Sequence, residues 1–227
     1  MTKLIPSTPL ILALALFGAA CKKEEARKEP PKEPPKTDPA PVDKTAPAPA
    51  SGDPTLGPIA GTYALDPIHS VVTFKIKHMN VSHTIGRFNK VEGSFTLDGD
   101  LAKTKVEIKV AADSVYTADK KRDDHLKSPD FLNAAQFPTI TFASTAVKVA
   151  DGRFEVTGDL DLHGVKKPVT ATFELVGAGK HMMDDKQFLA GFTGDLTIKR
   201  TDFGMDKMVG PAGDDITLTI AVEGSKK

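Results

Sequence analysis

From Ser70 to Gly224 apolar residues recur at every second position. That alternation restricts the chain to strands with one buried face. In SVVTFKIKHM, starting at Ser70, Val72, Phe74, Ile76 and His78 share one face, and Val71, Thr73, Lys75 and Lys77 share the other. KVEIKVAA sets Val106, Ile108 and Val110 against Lys105, Glu107 and Lys109. RFEVTGDLDL places Phe154, Val156, Leu160 and Leu162 together, and PVTATFEL does the same for Val169, Ala171, Phe173 and Leu175. GFTGDLTIKR aligns Phe192, Leu196 and Ile198, and DITLTIAVEG aligns Ile216, Leu218, Ile220 and Val222. FNKVEGSFTLDG and TITFASTAVKV are less regular, and each carries a Gly or small residue where a bulge fits. Burial on one side belongs to antiparallel sheets, since parallel strands are buried on both. Eight or nine strands result, with turn chemistry at Asp98-Gly99, Asp151-Gly152 and His163-Gly164. The fold class is all-β: an antiparallel sheet closed into a barrel, or two sheets in a sandwich. One segment interrupts it. ADKKRDDHLKSPDFLNAAQFP reads as a short charged helix from Asp119, a turn at Ser128-Pro129 and a second short element.

The first 58 residues follow other rules. Met1–Lys3 give a short positive start, Leu10–Phe17 an apolar run, and Gly18, Ala19 and Ala20 a small-residue stretch. This is the layout of a secretory signal peptide over residues 1–20; the run is too short to span a bilayer, which takes about 20 apolar residues. The single cysteine, Cys21, has no partner for an internal disulfide. Its place after Gly-Ala-Ala resembles a bacterial lipobox, although Gly18 stands where a branched aliphatic is usual. The resemblance implies a lipid anchor at Cys21; an ordinary signal peptide cut nearby, leaving a free thiol, is the alternative. Residues 21–58 are rich in Pro, Lys, Glu and Ala and nearly free of large apolar side chains, so they form no packed core. They are expected to be a tether of up to ~100 Å, at ~3 Å per residue in polyproline conformation. Residues 59–227 are one domain of ordinary size.

Thirty basic side chains balance thirty acidic ones, so no global field favours nucleic acid, and none is expected as a partner. No Gly-x-Ser-x-Gly elbow or phosphate-cradling glycine loop occurs. Ser70 and His69 are neighbours on an extended segment and point to opposite faces, so they cannot pair as nucleophile and base. His69, His78 and His83 lie near one another in sequence without metal-ligand spacing, and no metal or cofactor is expected.

Several polar residues keep two readings. Arg200 is in phase with Leu196 and Ile198 and is expected inward, either as a cation for a polar head group or in a salt bridge to Asp202, Asp66 or another carboxylate. His78 ends an inward face and either meets a ligand at the rim or is a satisfied rim histidine. His69, after Asp66, is expected to tie a turn. Arg122 and His125 belong to the helical insertion, which is either a lid or a solvated charged face. Small inward residues, Gly158, Ala171, Ala190 and Gly194, are expected to make room beside Phe74, Phe142, Phe154 and Phe192. Plain core packing accounts for the same phenylalanines.

Four motifs in order resemble the YceI-like family of bacterial secreted proteins. The first is YALDPIHSVVTFKIKHMNVSHTIGRFNKVEG, with Tyr63, Asp66, His69, Ser70, His78, Gly86, Phe88 and Gly93. Then follow RDDHLKSPDFLNAAQFPTITFAST, with Arg122, His125, Leu126, Phe131, Phe137, Pro138, Phe142 and Ser144; GDLDLHGVKKPV, with Gly158, Leu160, Gly164 and Pro168; and IKRTDFGM, with Arg200, Asp202, Phe203 and Gly204. The resemblance covers about Thr62 to Glu223. It implies an eight-stranded lipocalin-like barrel that binds a polyisoprenoid or other long-chain amphiphile in an apolar cavity, without enzymatic activity. Phe74, Ile76, His78 and Ile108 are the expected cavity residues. It also implies a place in the bacterial cell envelope, on the periplasmic side or the cell surface. Two alternatives stay open: a solid β domain for protein contacts, and a small hydrolase using His78, His83 or His125.

Overall fold

The computed structural model describes residues 59–227. The signal segment 1–20, the anchor at Cys21 and the tether 21–58 lie outside the described residues. Eleven strands and one α-helix make up the domain: β1 (Gly61–Leu65), β2 (Val71–His78), β3 (Ser82–Phe88), β4 (Val91–Leu97), β5 (Lys105–Ala111), β6 (Val115–Tyr116), α1 (Lys120–Lys127), β7 (Thr139–Ala150), β8 (Arg153–Leu162), β9 (Val165–Lys180), β10 (Phe188–Lys199) and β11 (Ala212–Lys226).

All pairings between strands are antiparallel, and they close into a ring. The order β1-β4-β5-β7-β8-β9-β10-β11 returns to β1 through Tyr63–Leu65 against Gly224–Lys226. Eleven strands occupy eight positions in the wall because three positions are broken once each. β11 pairs with β2 over Ala212–Ala221 and with β1 beyond it, so β1 and β2 share one position. β3 pairs with β2 and β6, while β4 pairs with β1 and β5. So β3 with β4, and β5 with β6, share the next two. The structure is the eight-stranded antiparallel barrel expected. It excludes the sandwich, because the ring of eight closes on itself through β1 on β11.

Beyond β6 the wall is completed by the segment from Thr117 to Pro138, which carries α1. Asp119 caps this helix, its side chain accepting from the Arg122 N–H at 2.8 Å. The expected second element does not form. Past Ser128 the chain runs in turns, held by Leu132 N–H to the Leu126 carbonyl at 2.9 Å and Ala134 N–H to the Lys127 carbonyl at 3.0 Å.

The irregular sequences are irregular for physical reasons. Between Ser144 and Ala146 the register of β7 on β8 slips, leaving Thr145 bulged, and the Ser144 hydroxyl accepts from the Val106 N–H at 2.8 Å. Asp151-Gly152 and His163-Gly164 form hairpin turns with both residues at positive φ (51° and 73°; 57° and 75°). Asp98-Gly99 does not. It opens a longer connection with a 3-10 turn at Leu101–Lys103, capped by Asp100.

Gly93 sits at φ 148°, and a Cβ there would collide with the Glu107 carbonyl of the neighbouring strand. Gly93→Ala is therefore expected to destabilise the domain by about 3 kcal/mol or more, since neither backbone nor strand can yield cheaply. Urea unfolding monitored by circular dichroism reads this directly; a loss under about 1 kcal/mol would contradict the packing described.

Candidate binding cavity

The barrel interior is filled differently in its two halves. Towards the β9–β10 hairpin, aromatic rings occupy the axis. Tyr63 stacks on Phe95 at 4.9 Å, and Phe95 and Phe154 meet Phe192 edge-on at 5.4 and 5.5 Å. The Tyr63 hydroxyl donates to the Ile59 carbonyl at 2.7 Å, and burial pushes this phenol above its usual pKa. This half is solid.

The half bounded by the β2–β3 hairpin, α1 and the loop before β11 is hollow. It holds a cavity of about 330 Å³, within the range of about 300–1,000 Å³ usual for small-molecule sites. Phe74, Ile76 and His78 of β2 and Ile108 of β5 all contribute to its lining. Phe142 of β7, Leu160 of β8 and Leu218 of β11 do so from the neighbouring strands, Phe142 beside Ile108 and Leu218 beside Phe74. The sequence reading missed Leu126, Phe131 and Leu132, which line the cavity from the α1 segment. Their signal was available, as apolar residues inside a charged run that periodicity could not assign.

Among the small inward residues Ala171 lines the cavity, while the glycines make room indirectly, by taking a ring onto the wall. Gly158 does not leave space, since a Cβ there would lie 2.6 Å from the Phe142 ring. Gly194 lies under Phe173 in the same way, and Gly86, the register partner of Phe74, lies under the Phe74 ring. Each glycine lets an aromatic ring lie flat on the wall. Phe154 and Phe192, expected beside the cavity, belong to the solid half.

Arg200 follows β10 and is 2% exposed. The expected salt bridge to Asp202, Asp66 or another carboxylate is not formed. Among the described residues no carboxylate lies within 4.0 Å of it; Asp202 pairs with Lys167 instead, at 3.3 Å. The guanidinium donates to four backbone carbonyls: Gly213 through Nε at 2.8 Å, Met205 and Lys207 through Nη1 at 2.6 and 2.7 Å, and Ala212 through Nη2 at 3.2 Å. It thereby folds the 205–213 loop around itself and still lines the cavity. Burial lowers its pKa, against the pull of Asp214 and Asp206.

The α1 segment is fastened at its start. Buried Asp123 accepts from the Thr117 N–H and hydroxyl at 2.7 and 2.6 Å. Arg122 donates to the Thr117 hydroxyl and carbonyl, both at 2.7 Å, while lining the cavity. His125 meets Asp130 at 3.1 Å and packs edge-on to Phe131. His83 is exposed opposite Lys77.

At the other end of β2, His69 Nδ1 approaches Asp66 at 2.8 Å and Glu223 at 3.8 Å. Ser70 accepts from the Glu223 N–H at 3.2 Å and donates to its carbonyl at 3.3 Å. The cluster ties the β1–β2 turn to β11. It lies a full strand away from His78 and His83, so the three histidines do not converge. Asp66, His69 and Glu223 place their ligand-capable atoms within 4.8 Å of one another. The hydrogen bond from His69 holds Asp66 below the usual carboxylate pKa, and the same bond raises His69.

A model of the YceI-like domain matches residues 63–224. The chain belongs to the YceI-like family. A UPF0312 protein of Pseudomonas aeruginosa is 42% identical over 162 residues, covering 70% of this chain and 83% of that protein. Among solved structures, BcnA of Burkholderia cenocepacia superimposes with a TM-score of 0.63 at 25% identity, over 70% of this chain and 98% of BcnA. A polyisoprenoid binding domain from Saccharophagus degradans superimposes with a TM-score of 0.56, over 73% of this chain and 98% of that domain; at 14% identity this likeness shows the fold. The matched span leaves out the N-terminal segments, so it is the barrel that this chain shares with the YceI-like family.

Two outcomes follow from these contacts. Arg200→Leu takes the guanidinium donor from four carbonyls, of which Ala212 keeps the Gly210 N–H, and is expected to destabilise the domain by about 3 kcal/mol or more in urea unfolding. Arg200→Lys should recover only part, because an ammonium cannot fork to all four. The His69–Asp66 pair predicts a pH signature. His69 is raised in the folded state, so its contribution is present below the usual histidine pKa and lost as pH rises through the folded value. Asp66 is lowered, so its contribution is present above the usual carboxylate pKa and lost on acidification. An NMR titration should find His69 above the usual histidine pKa and find it lowered by Asp66→Asn; no change on that substitution would break the assignment.

Proposed function

We propose that the domain binds a long-chain, mostly apolar lipid of the polyisoprenoid class, with its tail in the hollow half of the barrel, and acts as a membrane-tethered carrier or sensor in the bacterial cell envelope. The observation that carries this reading is the cavity itself. An apolar chamber walled by Phe74, Ile76, Ile108, Phe142, Leu160 and Leu218 offers a hydrocarbon chain about 0.8 kcal/mol for each methylene removed from water. The shared fold with a polyisoprenoid binding domain supports the same ligand class.

The polar part of the lining favours one kind of head group. Lys77, Arg122 and Arg200 contribute to it, with His78 and His125, and no carboxylate does. Such a lining suits a group rich in acceptor oxygens, such as a phosphate, a carboxylate or a pair of carbonyls. Membrane attachment through Cys21 and the 21–58 tether belongs to the same proposal, and the sequence supports it. The solid-core alternative fails on the cavity. The hydrolase alternative on His78, His83 or His125 gains no support: His83 is exposed opposite Lys77 rather than in the cavity lining, and His125 is engaged by Asp130 and Phe131.

Native mass spectrometry of the protein purified from its own envelope tests the reading. A discrete added mass that extracts into organic solvent is expected. Phe142→Asp, which sets a charge in the cavity wall, should remove it. A bare mass that stays bare after incubation with polyprenyl phosphates, prenylated quinones and fatty acids would falsify the carrier role.

A further inference from the structure

The rim of the cavity is apolar on its outer side as well. At the tip of the β2–β3 hairpin Met79 is 56% exposed and Val81 84% exposed. Met208 and Val209, on the loop before β11, are each 48% exposed. The two loops are joined, since the Met79 N–H donates to the Pro211 carbonyl at 2.7 Å. His78 and Met208, which flank these tips, line the cavity. The exposed apolar side chains therefore surround the mouth of the hollow half.

Backbone geometry adds a second observation. Met79 has φ 52° and Met208 φ 57°. Positive φ is uncommon for residues with long side chains, and hairpin turns usually place Asn or Gly there. Both turns instead present a methionine to solvent, a flexible side chain that adapts to irregular apolar surfaces. Strain kept in this way points to use.

Charge selects the occupant. Residues 71–90 contain Lys75, Lys77, Arg87 and Lys90, with His78 and His83, and no Asp or Glu. The β9–β10 hairpin at the other end is a natural comparison. Met182 and Met183 are 100% and 92% exposed there, but the solid half lies beneath them and Asp184 and Asp185 follow, whereas at the mouth the loop before β11 balances Asp206 with Lys207 and the β2–β3 hairpin adds its net positive charge.

We propose that the mouth face, built from Met79, Val81, Met208 and Val209 within the acid-free β2–β3 hairpin, docks on an anionic lipid bilayer and places the cavity opening against the membrane. Apolar tips enter the boundary between head groups and acyl chains, and the lysines meet the anionic head groups. A lipid tail then passes between bilayer and barrel with little exposure to water. The proposal deepens the lipid-binding reading and rests on it.

The test uses the full chain carrying Cys21→Ser, so that no acyl anchor contributes. Sedimentation with vesicles of phosphatidylglycerol and phosphatidylcholine is compared with vesicles of phosphatidylcholine alone. Relative to this background, Met79→Ser/Val81→Ser/Val209→Ser, which leaves every cavity-lining residue in place, should weaken association with anionic vesicles at least tenfold, and Met182→Ser/Met183→Ser should leave it unchanged. Val81→Glu alone, at a position almost wholly exposed, should weaken it several-fold without a folding defect. Unchanged sedimentation of the triple variant and of Val81→Glu overturns the proposal. So does an equal loss from the Met182/Met183 variant, or equal association with neutral vesicles. Uptake of a polyprenyl phosphate from detergent solution, read by native mass spectrometry, is measured on the same proteins. The triple variant should load normally. Failure of every form to load, with vesicle association intact, sinks the lipid-carrier reading while leaving the docking surface in place.

Discussion

Phe74 lying on the bare backbone of Gly86, and Phe142 lying on Gly158, decide what kind of object this barrel is. Eight strands enclose an interior just wide enough for side chains to fill, or to hold one small ligand. Which of the two results depends on where the largest side chains lie. In one half Tyr63, Phe95, Phe154 and Phe192 meet one another across the axis and close it. In the other the rings are laid against the wall, and the axis stays open. The glycines are thus not space left over. They are the positions that let aromatic rings stand aside.

Much of the fold was legible because period-two burial is a strong signal. The inward phases of β2, β5, β8, β10 and β11 follow from alternation alone, and Phe74, Ile76 and Ile108 come with them. Alternation could not say that β1 and β2 share one position in the wall, because the break at residues 66–70 is set by pairing with β11, a contact some 150 residues away in sequence. Nor could it see that Gly158 and Gly194 sit beneath rings, since that depends on cross-strand neighbours. Arg200 shows the limit most clearly. Its inward phase was readable, but its partners are backbone carbonyls of a loop that wraps around the guanidinium. No residue-type pattern encodes four carbonyl acceptors.

The rim of the hollow half is held by polar contacts rather than by strand pairing. The 205–213 loop is wrapped on Arg200, the start of α1 is fastened to Thr117 by Asp123 and Arg122, and the β2–β3 tip is bonded to Pro211. A buried network of this sort is rigid when satisfied. The opening is therefore largely pre-formed, and a ligand binds without first ordering the rim, which keeps the conformational cost of binding small.

The two ends of the barrel also differ in what they attach to. The described chain begins at Ile59 beneath Tyr63, in the solid half, while the mouth lies at the start of β11. β11 spans fifteen residues, or about 50 Å of strand at ~3.3 Å per residue, and less along the barrel axis once the usual tilt of roughly 40° is included. An anchor at Cys21 would leave 37 residues before Ile59, and at ~3.1 Å per residue in polyproline form these reach about 115 Å. The proposed tether is thus more than twice the length of the barrel. Under that proposal a mouth pointing away from the attachment could still be turned back onto the anchoring membrane, or presented to a facing one, and the length of residues 21–58 would make both geometries accessible to a single anchored chain.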